Sequence, residues 1–167
     1  ASGLVASRQH ADVLWLQNDV GDSRLFAVNS DGELLATFET GVDARDWEDL
    51  AIGPGPVAGM DYLYIADTGD NSESRGEVAV YRVAEPNVDA DQSPVEETLS
   101  GVAALRFKYP DGPHDTETVI VDPETGDLYL ITKRDARSRI YQAVYPQSTS
   151  EATTLEFVGE LTWTAAA

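Results

Sequence analysis

The sequence predicts an all-β protein, and three observations carry that prediction. Helical periodicity is nearly absent over the 167 residues. Short apolar runs recur instead, each ended by Asp, Gly, Asn or Pro. The runs also group into an internal repeat.

Taken in order, VLWLQ (13–17) and RLFAV (24–28) are apolar runs of strand length. Ser30-Asp31-Gly32 supplies the positive-φ position of a tight hairpin leading into LLATFE (34–39). DLAI (49–52) ends at Gly53-Pro54, and YLYIA (62–66) is stopped by Asp67 and Gly69. VAVYRV (78–83) runs into residues 85–100, rich in Pro, Asp and Glu, which read as a long exposed loop. AALRFKY (103–109) ends at Pro110-Asp111-Gly112, and TVIV (118–121) turns through Glu124-Thr125-Gly126 into DLYLIT (127–132). RIYQAV (139–144) stops near Pro146, and LEFVGELT (155–162) is the last candidate.

Three stretches can be laid on one another: SGLVASRQHADVLWLQND from Ser2, EDLAIGPGPVAGMDYLYIADT from Glu48 and ETVIVDPETGDLYLITK from Glu117. In each, a short apolar strand leads through a turn to a strand of type L-[WY]-[LI], followed by a third strand and a more variable fourth. The repeats are about 46 and about 69 residues long, differing by insertions. Leu14, Leu63 and Leu128 form one equivalent row and Trp15, Tyr64 and Tyr129 another, one on each sheet face. Four antiparallel strands per unit is the pattern of a propeller blade. The chain is therefore expected to be a single half-propeller domain, with blades of about 1–41, 42–112 and 113–167. Three blades cannot close a ring, and a half-ring would leave two apolar blade faces in water. Either a second copy of the chain pairs with it to give six blades, which is the preferred arrangement, or it belongs to a longer propeller.

Composition narrows the function. A net charge of −19, with only Lys108 and Lys133 as lysines, repels phosphate backbones and argues against nucleic acid. It suits solubility, a salty habitat or cation binding. No apolar run is long enough to span a membrane. The absence of Cys excludes disulfides, thiolate metal sites and Cys nucleophiles. No G-x-S-x-G elbow, P-loop or G-x-G-x-x-G occurs.

The superposition puts Glu48 and Glu117 on one repeat position, at the start of the first strand, where blade one has Ser2. Innermost strands line a propeller's channel, so both glutamates are expected to point at the axis. Asn18, Asp67 and Thr132 follow at the end of the second strand, with Asp19, Thr68 and Lys133 one step on. Converging carboxylates raise one another's pKa unless a cation neutralises them. Hard oxygen donors without His or Cys point to Ca²⁺, with Mg²⁺ second. The alternative is pairing with Arg or Lys, or plain solvation.

A second candidate is DTGDNSESRGE (67–77), where Asp67, Asp70, Asn71 and Glu73 crowd one turn; as an Asx turn it needs no metal. Asp49 aligns with Thr118 and Gly3 and is expected to face away from Glu48, satisfying backbone donors, whereas Asp46 and Trp47 read as entry loop. Of the two histidines, His10 lies in a loop, and His114, three residues before Glu117, reads as a solvated loop residue that could reach the channel mouth. Lys133 reads as a partner of Glu117 or, more boldly, as a group that binds anionic substrate; with His114 it is the candidate for any catalysis.

These blocks, with DWEDLAIGP, LYIADTGDN, VYRVAEP and YPDGPHDTETVIVDPETGDLYLITK, resemble a family of uncharacterised bacterial propeller proteins, mostly exported. The chain looks like the N-terminal half of a member. The family is distantly similar to the SdiA-regulated and esterase-like phytase propellers, in which channel carboxylates bind calcium. The resemblance implies an exported, calcium-binding six-bladed propeller. In it Glu48 and Glu117 match channel acids, and Asp67, Asn71 and Lys133 match recurrent polar positions beside them. A metal-dependent hydrolase of phosphate or carboxylic esters is the activity it would imply.

Overall fold

The computed structural model describes residues 2–19, 23–133 and 137–162, and the regular structure among them is all β. All eleven runs read from the sequence form strands, with ends within two residues of those expected. The first unit is an antiparallel meander of β1 (Leu4–Ala6), β2 (Val13–Gln17), β3 (Arg24–Asn29) and β4 (Leu34–Glu39). The second repeats it with β5 (Trp47–Pro54), β6 (Asp61–Asp67), β7 (Val78–Ala84) and β9 (Ala103–Lys108). The third uses β10 (Thr116–Val121), β11 (Leu128–Thr132), β12 (Ser138–Ala143) and β14 (Glu156–Leu161).

Two short strands have no counterpart in the sequence reading. β8 (Val95–Thr98) and β13 (Thr153–Thr154) leave the third-to-fourth connections of units two and three and pair in parallel with β4 and β9 of the preceding unit. The result is three sheets of five, five and four strands. The 85–100 stretch is thus not a free loop. Glu85 and Val88 are buried, and a Glu85 oxygen accepts the Trp15 indole N–H at 2.8 Å. A parallel partner lies far away in sequence, so local turn residues such as Pro94 dominate any reading of this segment.

Packing follows the alternation of each strand. β2 buries Val13, Trp15 and Gln17 on one face while Leu14 and Leu16 stay half-exposed on the other. β6, in the middle sheet, is buried on both faces and is accordingly a continuous apolar run. Leu63 joins Trp15, Leu25, Phe38 and Trp47 in the core between sheets one and two. Its neighbour Tyr64 joins Leu105, Phe107, Leu128 and Tyr141 in the core between sheets two and three. The Leu row therefore faces the preceding sheet and the aromatic row the following one. Each fully buried Leu, Ile or Phe side chain contributes about 1.5–3 kcal/mol, so these two seams hold the sheets together. No helix among the described residues is long and apolar enough to cross a membrane.

The first strands of the three units converge, since β5 packs beside both β1 and β10. Two glycines allow the approach: a Cβ on Gly3 would overlap the Leu50 backbone, and one on Gly53 the Val121 side chain. Three of the hydrogen bonds that cross the junction involve Asp49. The Gln17 amide, oriented with its oxygen toward the Asp49 N–H, makes two 3.1 Å bonds to the Asp49 backbone. The Asp49 carboxylate accepts the Val119 N–H at 3.0 Å. Because the Gly3 contact is with backbone, which cannot rotate away, Gly3→Ala is expected to cost about 1–3 kcal/mol. Urea unfolding would show this as a lower midpoint with an unchanged slope; an unshifted midpoint would mean that β1 and β5 are not in such contact.

Candidate metal centre

The β5–β6 ladder steps from Trp47↔Asp67 to Asp49↔Ala66, and the β10–β11 ladder from Thr116↔Thr132 to Thr118↔Ile131. The extra residue is Glu48 in the first case and Glu117 in the second. Both glutamates are thus β-bulge residues, left out of the ladder and turned from the regular alternation. The equivalence read from the repeat is a shared backbone irregularity.

Their carboxylates meet. Oxygens of Glu48, Asp115 and Glu117 lie within 4.8 Å of one another, and so do oxygens of Asp19, Asp46 and Glu48. Glu48 belongs to both groups. Asp46 and Asp115 stand in the same place, each two residues before its bulge glutamate, so units two and three both carry Asp-x-Glu. Asp46, expected to be surface chemistry of an entry loop, is part of the cluster, and Trp47 beside it is fully buried within β5. Carrying the superposition that paired the glutamates two residues further back would have made Asp115 legible. Gly69 closes the arrangement from above: a side chain there would run into the Asp46 and Glu48 carboxylates.

Burial and crowding together raise the pKa of Glu48 and of Asp46. Burial, then the charges of Glu117, Asp46, Asp19 and Asp115, push Glu48 up to about 7. Asp46 is raised by burial and by Asp19 and Asp115, with Arg75 opposing. Asp49 is raised by burial, against the hydrogen bonds that its carboxylate accepts from backbone. It faces Val119 rather than the cluster, matching the expectation that it serves backbone donors.

The remaining expected residues take distinct positions. The Lys133 ammonium donates to Glu117 at 2.9 Å and is exposed; this bond and the Glu117 charge raise its pKa. Asp67 lies outside both carboxylate groups. It is buried against Arg75 at 2.9 Å and accepts the N–H groups of Arg45 and Asp46 at 3.1 Å each, so it sets the backbone that carries Asp46. Asn71 sits exposed in the following turn, beside an open cleft lined by Asp46, Gly69 and Arg75. Asp70 organises that turn as an Asx-type cap, accepting the Arg75 N–H at 2.6 Å, while its own N–H donates to Asp115 at 2.8 Å. Asn18 is half-buried just after β2, next to the cluster residue Asp19. His114 is not a solvated loop residue. It is buried, bonded to the Tyr141 hydroxyl at 2.9 Å and to Asp111 at 3.1 Å, with the Tyr109 ring edge-on at 5.1 Å.

Compared with protein-family models, with curated proteins and with solved structures, the chain matches none of them.

The Glu48 shift has a definite consequence for stability. Its folded pKa lies above the unfolded value of 4.5, so between pH 4.5 and about 7 the native state binds more protons than the unfolded state. The Glu48 contribution to stability is fully present below that window and is lost as pH rises through it. Thermal melts in chelator should therefore show Tm decreasing across this range, and Glu48→Gln should flatten most of the slope. An unchanged slope in the variant would place the titration elsewhere.

Proposed function

We propose that the chain is a cation-binding propeller module that uses its bound ion for ligand or partner binding. The carrying observation is the double membership of Glu48, whose carboxylate lies within 4.8 Å of two acids on each side. Five carboxylates and no His or Cys make an all-oxygen donor set, which suits Ca²⁺ first and Mg²⁺ second. A cation there would let Glu48 ionise at neutral pH and remove the repulsion that crowding creates. Glu48 and Glu117 would be main ligands, Asp46, Asp115 and Asp19 further ones, and Asn18 a neighbouring oxygen.

The three sheets are read here as consecutive blades. Each is a four-strand meander, the first strands converge, and each sheet presents its Leu row backward and its aromatic row forward. The resemblance to exported bacterial propellers brings an exported location into the same proposal. For such a module a dissociation constant of about 0.1–1 mM suffices.

A metal-dependent hydrolase of phosphate or carboxylic esters is the second reading, and Lys133 favours it. An exposed ammonium beside Glu117 is suited to offset charge developing on a substrate oxygen.

Calcium at a hundred times its dissociation constant should stabilise the chain by about 2.7 kcal/mol. For a domain of this size that is a rise of roughly 5–11 °C in Tm. The double variant Glu48→Gln/Glu117→Gln should lose the response. If its melting still rises fully with calcium, the site is elsewhere. Asp67→Asn is the counterpart: it breaks a buried pair and loosens the backbone that carries Asp46, so it should destabilise by about 3–5 kcal/mol while the calcium-induced shift shrinks without being lost. Calcium-dependent turnover of generic esters or phosphoesters, lost in Lys133→Ala, would select the hydrolase.

A further inference from the structure

Two of the three sheets receive their outermost strand from the unit that follows them in the chain. β8 lies on β4 and β13 lies on β9, both in parallel. The two deliveries end alike, in Thr98-Leu99 and Thr154-Leu155. The Leu99 N–H donates to the carbonyl of Glu39 at 2.9 Å, and the Leu155 N–H to that of Lys108 at 2.8 Å. Glu39 and Lys108 are each the last residue of a fourth strand. Leu155 is buried in the core between sheets two and three, and Leu99 packs against the core between sheets one and two. Side chains brace both connections: Gln92 donates to the Leu35 carbonyl at 2.9 Å, and Arg106 to the Ser150 carbonyl at 2.9 Å.

β14 holds the fourth place in the third unit, and among the described residues no strand pairs with its outer edge. On this open-edged strand Phe157 and Val158 are 46% and 44% exposed. The adjoining outer face of sheet three is also apolar and open, with Ile120 47% exposed and Tyr129, Ile131 and Ile140 half-buried on the same side.

We propose that the outer edge of β14 is a docking site for a parallel strand. Its occupant is the third-to-fourth connection of a further four-stranded unit, whose sheet covers the Ile120 face. The proposal rests on reading the sheets as successive units and is independent of the cation. A second copy of this chain is a poor occupant. Packed head to tail, it would present its first unit, and the connection there is a tight turn closed by the Gly32 N–H on the Asn29 carbonyl at 3.0 Å. That turn has no residues to reach back. An unpaired edge beside an open apolar face also templates unwanted pairing, so a dedicated partner is the physical remedy.

Amide hydrogen exchange on the whole chain, followed by NMR, tests this. The probe is a synthetic peptide of residues 92–99, the chain's own backward-reaching segment. Alone, the outward amides of β14 should exchange fast at every protein concentration, while those of β4 and β9 are protected. At ten times its dissociation constant the peptide should slow the β14 amides about tenfold, and a peptide with Thr98→Pro should not. Two results overturn the proposal. One is β14 protection that rises with protein concentration, which would make a second copy the occupant. The other is no response to millimolar peptide with either sequence. Neither outcome bears on calcium binding, so this test and the cation test fail separately.

Discussion

Everything distinctive about the molecule depends on how closely the first strands of its three units approach. Gly3 and Gly53 remove the side chains that would hold them apart, and Asp49 ties them together. Its backbone is held by Gln17 of the first sheet, and its carboxylate by the Val119 N–H of the third. A single aspartate thus joins three sheets. The two cores on either side provide the burial energy, but the junction fixes which residues of successive units face one another.

That junction has an electrostatic consequence. Bulges in β5 and β10 turn Glu48 and Glu117 out of their ladders where the strands are closest. Asp46, Asp115 and Asp19 come with them. The surrounding bonds make the crowding rigid: Asp67 and Arg75 fix the backbone at Asp46, and Asp70 fixes Asp115. Burial, and then charges that cannot relax apart, push the Glu48 pKa up to about 7. A divalent cation relieves the same repulsion without a change of conformation. This is the physical basis for preferring cation binding over a purely structural role.

Period-two runs and turn residues made the strands legible, and superposing the repeats made Glu48 and Glu117 legible as a pair. Extended two residues toward the N-terminus, the same superposition also pairs Asp46 with Asp115. Asp46 looked like loop surface only because its neighbours were judged locally, and Trp47 beside it is in fact buried inside β5. Other features depend on partners distant in sequence. β8 and β13 exist through parallel pairing with strands of the previous unit, and no local pattern marks that. The burial of His114 depends on Tyr141 of β12, brought against it from a distant strand, while Tyr109 and Asp111 belong to its own stretch of chain. Asp67 read as a ligand because it ends a strand near the acids, yet the buried Arg75 that engages it follows eight residues later in a turn.

On the proposed function, the convergent first strands build one cation site around Glu48. A crystal structure of the chain grown with calcium tests it most directly. The expected result is a single ion bound to Glu48 and at least two of Glu117, Asp115, Asp46 and Asp19, at about 2.3–2.6 Å. Calcium bound only elsewhere, or no ion at all with the Lys133–Glu117 pair unchanged, would contradict it.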